Sequence, residues 1–182
     1  IFDAQAVDIA ILDPADGLLH FAYSIEKGVR YPDEPIPVIG FRRQVFESRA
    51  PLLINRDVKR FAEEAGQPYV LSGEPTKSAV FVPLITAGEV TGAVSLQNVD
   101  REDAFSEGHV RLLSTLAGSL SVALENARLF DETKRLLAET DARAGELAII
   151  NSVQQGLAER LERHAMYDLV GDKITEIFDV HG

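Results

Sequence analysis

Leu19, Phe21, Tyr23 and Ile25 alternate with His20, Ala22 and Ser24, and a period of two is the pattern of a half-buried β-strand. Further candidate strands lie at residues 8–12 and 52–54, which are short apolar runs, and at residues 78–85 and 90–99. Turn sequences that contain proline or glycine separate the first two segments and the last two, so each pair is expected to form a hairpin. We therefore predict an α+β fold with an antiparallel central sheet of about five to six strands and flanking helices.

The segments between these strands are expected to differ in structure. Residues 28–39 contain closely spaced prolines and are predicted to form an extended loop, because proline cannot continue a helix. Residues 40–48 have apolar positions at helical spacing and predict a short helix that ends before Pro51. Residues 55–76 are polar and irregular, and we expect them to form a lid over the sheet.

A long helical pattern begins after Ser106, which is predicted to cap the helix. Apolar residues then recur every three or four positions from Leu113 to Leu137. This stripe fits two structures equally well, the seam of a dimeric coiled coil and the face of a helix that packs on its own sheet.

The helical pattern continues through the C-terminal part of the chain. Helices are predicted at residues 146–161 and 165–178 from the spacing of their apolar residues. We expect the breaks between helices at Gly145 and within residues 159–164.

Composition and charge narrow the classes of function. The chain of 182 residues has 29 acidic and 18 basic side chains, and its net charge of -11 opposes non-specific attraction to nucleic acids and to anionic membranes. It has no cysteine, which excludes disulfides, thiolate metal sites and thiol nucleophiles. No apolar run has the length of a transmembrane helix and no signal-peptide pattern is present, so we expect a cytoplasmic protein.

The sequence lacks the common catalytic motifs. It has no phosphate-binding or dinucleotide-binding glycine loop, no zinc-protease motif and no nucleophile elbow. The four histidines are scattered and do not indicate a metal site. We therefore expect no enzymatic activity and no bound cofactor or metal, and haem held by His20 is the one alternative left open.

Three segments, taken in order, resemble the GAF domain family of small-molecule-sensing signalling modules. Residues 40–58 are similar to a helix and the third strand of that family, residues 78–96 to its central hairpin, and residues 105–129 to its closing helix. The resemblance implies a GAF sensor domain over residues 1–135.

The C-terminal part of the chain carries a second resemblance. Residues 165–174 look like the first helix of another GAF domain, and Ile1-Phe2-Asp3 recurs at the other end as Ile177-Phe178-Asp179. This implies that the domain at 1–135 lacks its own first helix, and that residues 136–182 are a helical linker and the first helix of a following GAF repeat.

The resemblance also implies a pocket, because family members bind ligands between one face of the sheet and the irregular segment after the third strand. The candidate ligand-binding residues are Tyr23, Asn55, Asp57, Phe61, Tyr69, Ser78 and Phe81. Aromatic walls with a few polar groups suit a small, partly apolar molecule. The alternative is that Phe61 and Tyr69 fill the pocket themselves.

Three chemistries known in the family are not matched by this sequence. The cyclic-nucleotide signature has Asn98 and Phe105, but Val99 stands in place of its lysine and His109-Val110 in place of its acidic pair. The thiol-dependent reductases and the bilin-carrying members both need cysteine, which this chain lacks.

The resemblance implies a non-catalytic regulatory module. Ligand binding would be transmitted through a homodimer of helices around Leu113–Leu137 to an output domain such as a cyclase or a histidine kinase. The rival from another class is a ligand-free dimerisation spacer in a tandem GAF array. Because a sheet without its first helix exposes apolar area, we expect residues 165–178, from the same chain or a partner copy, to cover it.

Overall fold

The computed structural model describes residues 2–30, 34–68 and 73–178, and the chain divides into two compact units. The first unit contains residues 1–127 and the second contains residues 128–182. No helix in the described ranges combines the length and the apolar character needed to cross a membrane.

The first unit is built on one antiparallel sheet. Its strands are β1 (Ala6–Leu12), β2 (Leu18–Glu26), β3 (Val29–Arg30), β4 (Ile36–Pro37), β5 (Leu52–Ile54), β6 (Ser78–Thr86) and β7 (Glu89–Asn98). The strand order is β3-β2-β1-β7-β6-β5, and β4 also pairs with β2. The antiparallel α+β fold is confirmed, and β3 and β4 add two short pairings where a loop was predicted.

Two short helices cover one face of the sheet. Helix α1 (Gly40–Ser48) contributes Phe41 and Val45, and helix α2 (Val58–Glu64) contributes Val58 and Ala62, to a core cluster that includes Phe81 of β6. We call this the α1 face. Helix α1 is confirmed, whereas α2 lies in a segment that was expected to be irregular.

The opposite face is covered by the first turns of helix α3 (Glu107–Phe178). Ser106 Oγ accepts a hydrogen bond from the backbone N–H of His109 at 3.3 Å, so the predicted cap is present. Leu113 and Ala117 are buried against β6 and β7. Leu113 therefore packs within its own domain, which is one of the two alternatives for the apolar stripe that begins there.

Helix α3 is continuous, so the predicted breaks at Gly145 and within residues 159–164 are wrong. A single glycine inside a helix costs only about 1 kcal/mol relative to alanine, which long flanking stretches of good helix formers can offset. The residues of the predicted third helix belong to the last turns of α3, and the side chains of residues 165–176 are exposed.

Candidate functional site

Five polar side chains meet on the α1 face of the sheet. Asp8 of β1 lies opposite Ser24 of β2 on one side and Ser95 of β7 on the other. Ser24 Oγ donates to Asp8 Oδ1 at 2.9 Å, and Ser95 Oγ donates to Oδ2 at 3.0 Å. Gln97 Nε2 and Arg42 Nη2 also donate to Oδ2, at 2.9 and 3.3 Å. We call these residues the Asp8 cluster.

The Arg42 guanidinium of this cluster lies near two aromatic rings. Its Cζ atom is 5.1 Å from the ring centroid of Phe21 and 5.6 Å from that of Phe81. Arg42 is 6% exposed and Asp8 is 8% exposed, so the ion pair is largely removed from water. A cation over aromatic faces is stabilised more strongly when it is desolvated, which helps to hold the guanidinium here.

The start of α1 determines where Arg42 lies. Gly40 has φ = 56°, a left-handed conformation that favours glycine, and the Gln67 side chain accepts the Phe41 backbone N–H at 2.9 Å. A Cβ atom at Gly40 would lie 1.7 Å from Gln67 Oε1. Glycine at position 40 therefore lets Gln67 cap the helix and fixes the first turn, which carries Arg42.

Core packing does not explain the Asp8 cluster. A buried ion pair loses hydration, and apolar residues of similar volume are often as stable or more so. The cluster is not sealed from the surface, because Gln97 is only half-buried and its Oε1 accepts a hydrogen bond from Thr76 Oγ1 at 2.6 Å. The site thus combines a carboxylate, a guanidinium, an amide and hydroxyls with aromatic faces.

Two predicted site residues hold the loop that leads into α3. Asn55 Nδ2 donates to the carbonyl of Phe105 at 2.7 Å, and the Phe105 N–H donates to Asn55 Oδ1 at 3.2 Å. Ser78 is fully buried, and its Oγ donates to the Arg101 carbonyl at 2.7 Å and accepts from the Ala104 N–H at 3.3 Å. These contacts anchor residues 101–105 to the ends of β5 and β6.

The other predicted site residues are dispersed, and among the described ones Phe81 is the residue that contacts the Asp8 cluster. Tyr23 lies opposite Ile9 on the α3 face, with the Arg30 guanidinium 4.4 Å above its ring. Asp57 is exposed at the start of α2, and its N–H donates to Glu102 Oε1 at 3.4 Å. Phe61 is 39% exposed on α2. Tyr69 lies outside the described residues.

Comparison with protein families gives a match to the GAF domain model over residues 1–124. The chain belongs to the GAF domain family. Comparison with curated protein sequences gives no significant match. Comparison with solved structures places the same fold in proteins of several kinds.

Three of these structures illustrate the range of proteins that share the GAF fold. The GAF domain of an Acinetobacter phosphoenolpyruvate-protein phosphotransferase is 22% identical with a TM-score of 0.58, over 69% of this chain and 74% of that one. A fragment of a methyl-accepting chemotaxis protein is 21% identical with a TM-score of 0.60, over 70% and 82%. A free methionine-R-sulfoxide reductase from Thermoplasma acidophilum is 21% identical with a TM-score of 0.53, over 68% and 80%. At these identities the likeness concerns the fold.

Sequence reasoning missed most of the polar groups on the α1 face of this GAF domain. Asp8, Ser24 and Ser95 occupy strand positions whose neighbours on the same face, such as Ala10 and Ala93, are buried. A polar residue at a strand position that shares a sheet face with buried alanines is a signal that the sequence itself contains. This signal alone does not single out the three residues, because the strand pairing that brings them together is not visible in the sequence.

A second group of titratable residues lies at the β1–β2 turn. Asp13, Asp16 and His20 have ligand atoms within 4.8 Å of one another. Their contacts are those of a turn, because Asp13 accepts the Ala15 N–H, Asp16 accepts the Leu18 N–H, and Asp16 contacts His20 Nε2, each at 2.8 Å. His20 lies opposite Ile11 and therefore on the α3 face, away from the Asp8 cluster.

An exposed ion pair at the 101–105 loop predicts a pH effect. Arg56 Nε donates to Asp103 Oδ2 at 2.6 Å, and this hydrogen bond lowers the pKa of Asp103 below its usual value. Stability from this pair is therefore present above the unfolded-state pKa and is lost as the pH falls through the folded-state pKa. Asp103→Asn is expected to lower the melting temperature at pH 7 and to have no effect at the lowest pH at which the protein stays folded.

The matched control for this prediction is Asp57→Asn, because Asp57 is also exposed with a φ of 53° and its side chain does not cap α2. Asn tolerates the φ of 53° at position 103, so the substitution tests the charge with little backbone strain. A difference in melting temperature between wild type and Asp103→Asn that does not shrink on acidification would contradict the prediction.

Proposed function

We propose that this GAF domain is a non-catalytic sensory module that binds a small, partly apolar molecule at the Asp8 cluster. The observation that carries the proposal is a buried carboxylate–guanidinium pair whose neighbours are Phe21 and Phe81, on a face otherwise packed with apolar residues. Ligand sites in proteins are mostly apolar with a few placed polar groups, and this surface has that composition.

The position of the cluster would let a ligand act on the elements around it. Arg42 belongs to α1 and Phe81 to β6, and β6 also carries Val80 and Val82, which pack against the α3 side. A ligand that favours one arrangement of α1 on the sheet would bias the packing of β6 through these neighbours. The shift in population can be only as large as the difference in the ligand's affinity for the two arrangements.

The signal would leave the domain through the helices of a homodimer, toward an output domain. Structural neighbours include residues 122 to 287 of a methyl-accepting chemotaxis protein and a GAF domain/HD domain protein from Geobacter sulfurreducens. An output domain of the cyclase or histidine kinase kind, in a cytoplasmic signalling protein, fits this arrangement. The proposal does not include thiol-dependent reductase chemistry, since the chain has no cysteine.

We also propose that residues 1–135 form the sensor domain and that residues 136–182 are a helical linker ending in the first helix of a following GAF repeat. The unequal burial of side chains on the α3 face supports the proposal that one more helix packs there. Val80, Val82 and Leu84 are buried there, whereas Ile9 and Ile11 of β1 are half-buried. A helix like residues 165–178, supplied by another copy of the chain, is our candidate to cover them.

The rival function, a ligand-free dimerisation spacer, is favoured by one observation. Within the described ranges, every buried side-chain nitrogen or oxygen has a hydrogen-bond partner, so the Asp8 cluster is satisfied without a ligand. In that case the cluster would only fix the position of α1.

A ligand screen separates the two functions. Nucleotides, amino acids and aromatic metabolites are added to the full chain, and retained compounds are detected by native mass spectrometry and by the shift in melting temperature. The sensor predicts a retained compound that raises the melting temperature, since a ligand that binds the folded state at about 100 times its Kd adds about 2.7 kcal/mol. A screen in which no compound is retained and none stabilises the protein would favour the spacer.

A further inference from the structure

The charges of the Asp8 cluster restrict the class of ligand that it can bind. The cluster holds one negative and one positive side chain, Asp8 and Arg42, and both are buried. A ligand with a single net charge would leave one of the buried charges in excess, and an uncompensated buried charge is strongly unfavourable. The cluster therefore favours a ligand whose own charges sum to zero.

The contact between the two charged side chains is loose. They share one hydrogen bond, from Arg42 Nη2 to Asp8 Oδ2, and its length of 3.3 Å makes it the longest of the hydrogen bonds that Asp8 accepts in the cluster. Arginine and carboxylate groups that match in geometry form two parallel hydrogen bonds of about 2.7 to 2.9 Å. The two charges are adjacent without this match, so each can bind a better partner.

Asp8 can exchange Arg42 for another donor and keep its remaining hydrogen bonds. An ionised carboxylate accepts about four hydrogen bonds, and the four donors of Asp8 are Ser24, Ser95, Gln97 and Arg42. Three of these donors are neutral groups of the sheet, so they stay in place when the guanidinium moves. One acceptor position of Asp8 then opens for a donor of the ligand.

The hydroxyls beside Asp8 offer further acceptors. Ser24 and Ser95 each donate to Asp8, and neither hydroxyl oxygen accepts a hydrogen bond from another of the described residues. A hydroxyl oxygen has two acceptor lone pairs in addition to its donor. This part of the sheet is therefore rich in acceptors, which suits an ammonium group with its three N–H donors.

The other side of the cluster suits a carboxylate with an apolar group next to it. A guanidinium binds a carboxylate more strongly than it binds a neutral acceptor. The Arg42 guanidinium lies beside the rings of Phe21 and Phe81, and Phe21 is only half-buried. The partly uncovered ring of Phe21 gives an apolar side chain of the ligand a surface to pack on.

We propose that the ligand of the Asp8 cluster is a free α-amino acid with an apolar side chain. Its ammonium group takes the place of Arg42 at Asp8, its carboxylate binds the Arg42 guanidinium, and its side chain packs on Phe21. A single carbon atom separates the two charged groups of an α-amino acid, so Asp8 and Arg42 need to separate less than for any longer zwitterion. This inference rests on the proposed function, because it names the ligand of the same site.

The exchange of partners would also link binding to helix α1. In the free protein, Arg42 connects the first turn of α1 directly to Asp8 of β1. In the complex the amino acid lies between the two side chains. The contacts of α1 with the sheet therefore differ between the two states, and a ligand can shift a conformational equilibrium only through such a difference.

Compounds that differ only in their charges test the ligand class on the wild-type full chain. L-leucine is compared with isoamylamine, which lacks the carboxylate, and with isocaproate, which lacks the ammonium group. L-phenylalanine is compared in the same way with phenethylamine and hydrocinnamate. Isothermal titration calorimetry is expected to give at least one of the two amino acids a Kd about tenfold lower, or more, than the Kd of either of its analogues.

A serine variant tests where the ammonium group binds. Ser24→Ala removes one hydroxyl acceptor and keeps both charges of the cluster, and it is expected to raise the Kd of the amino acid about fivefold. Ser119→Ala, at an exposed position of α3, is the matched control and is expected to leave this Kd unchanged. Thermal melting of both variants verifies that they are folded.

Three results would overturn the inference. The first is an amine or a carboxylate that binds as tightly as the matching amino acid, and the second is an unchanged Kd in folded Ser24→Ala. The third is the failure of both amino acids to bind although the ligand screen retains another compound, which would leave the proposed function standing. A screen that retains no compound at all contradicts the proposed function as well, so the two failures are distinguishable.

Discussion

Replacing Arg42 with methionine is expected to lower the free energy of unfolding by about 3 to 5 kcal/mol, because it leaves the buried carboxylate of Asp8 without its cation. The hydroxyls of Ser24 and Ser95 and the amide of Gln97 would still donate to Asp8, but they carry no compensating charge. Urea denaturation of the full chain, followed by circular dichroism, measures the change.

Two further variants make the Arg42 prediction specific. Arg43→Met alters the next residue of α1, whose side chain is exposed and makes one 3.4 Å hydrogen bond to the Ala65 carbonyl, and it is expected to cost less than about 1 kcal/mol. The double variant Asp8→Leu with Arg42→Met removes both charges and is expected to be more stable than Arg42→Met alone. A double variant as unstable as the sum of the two single variants would show that the charges are not coupled.

Replacing Leu84 with alanine is expected to cost about 2 to 5 kcal/mol, since the side chain is fully buried between the sheet and the first turns of α3. The loss combines the transfer energy of the removed methyl groups with the cavity left behind. Thermal and urea unfolding of the full chain both report this change.

The adjacent residue on β6 is the matched control for Leu84. Ile85 is 40% exposed and follows an irregularity in the pairing of β6 with β7, so it does not share the core position of Leu84. Ile85→Ala is expected to cost less than about half as much as Leu84→Ala. Equal losses at the two positions would contradict the assignment of Leu84 to the core of the α3 face.

The hairpins, helix α1 and the start of helix α3 were accessible from the sequence because local signals define them. The Asp13–Gly17 turn separates two alternating segments, and Gly40 begins a helix whose apolar positions recur at the right spacing. Helix α2 was missed because only Val58, Ala62 and Ala65 mark its buried side, within a polar stretch that reads as a loop.

The continuity of α3 was missed for a different reason. Gly145 is a weak helix former, and residues 159–164 are mostly charged. Neither feature stops a helix that has favourable residues on both sides. Local signals for a break therefore competed with helix propensity over many turns, and propensity prevailed.

The candidate site could be predicted only in part, because its residues come from distant positions. Phe81 was predicted from the family resemblance. Asp8 and Arg42 are separated by 34 positions, and they meet only because of the register of β1 and the position of α1 on the sheet. Asn55 and Ser78 were also candidates from the family resemblance, and their side chains hold the loop before α3. Their part in ligand binding remains a prediction.

Isothermal titration calorimetry of Gln97→Leu tests the location of the ligand site most directly, with the compound that stabilises the wild-type protein best. Gln97 is the half-buried member of the Asp8 cluster, and Gln44→Leu on the exposed side of α1 is the control. Our account predicts binding that is about tenfold weaker or more for Gln97→Leu and unchanged for Gln44→Leu. Equal affinities for wild type and both variants, or no binding to the wild-type chain, would contradict it.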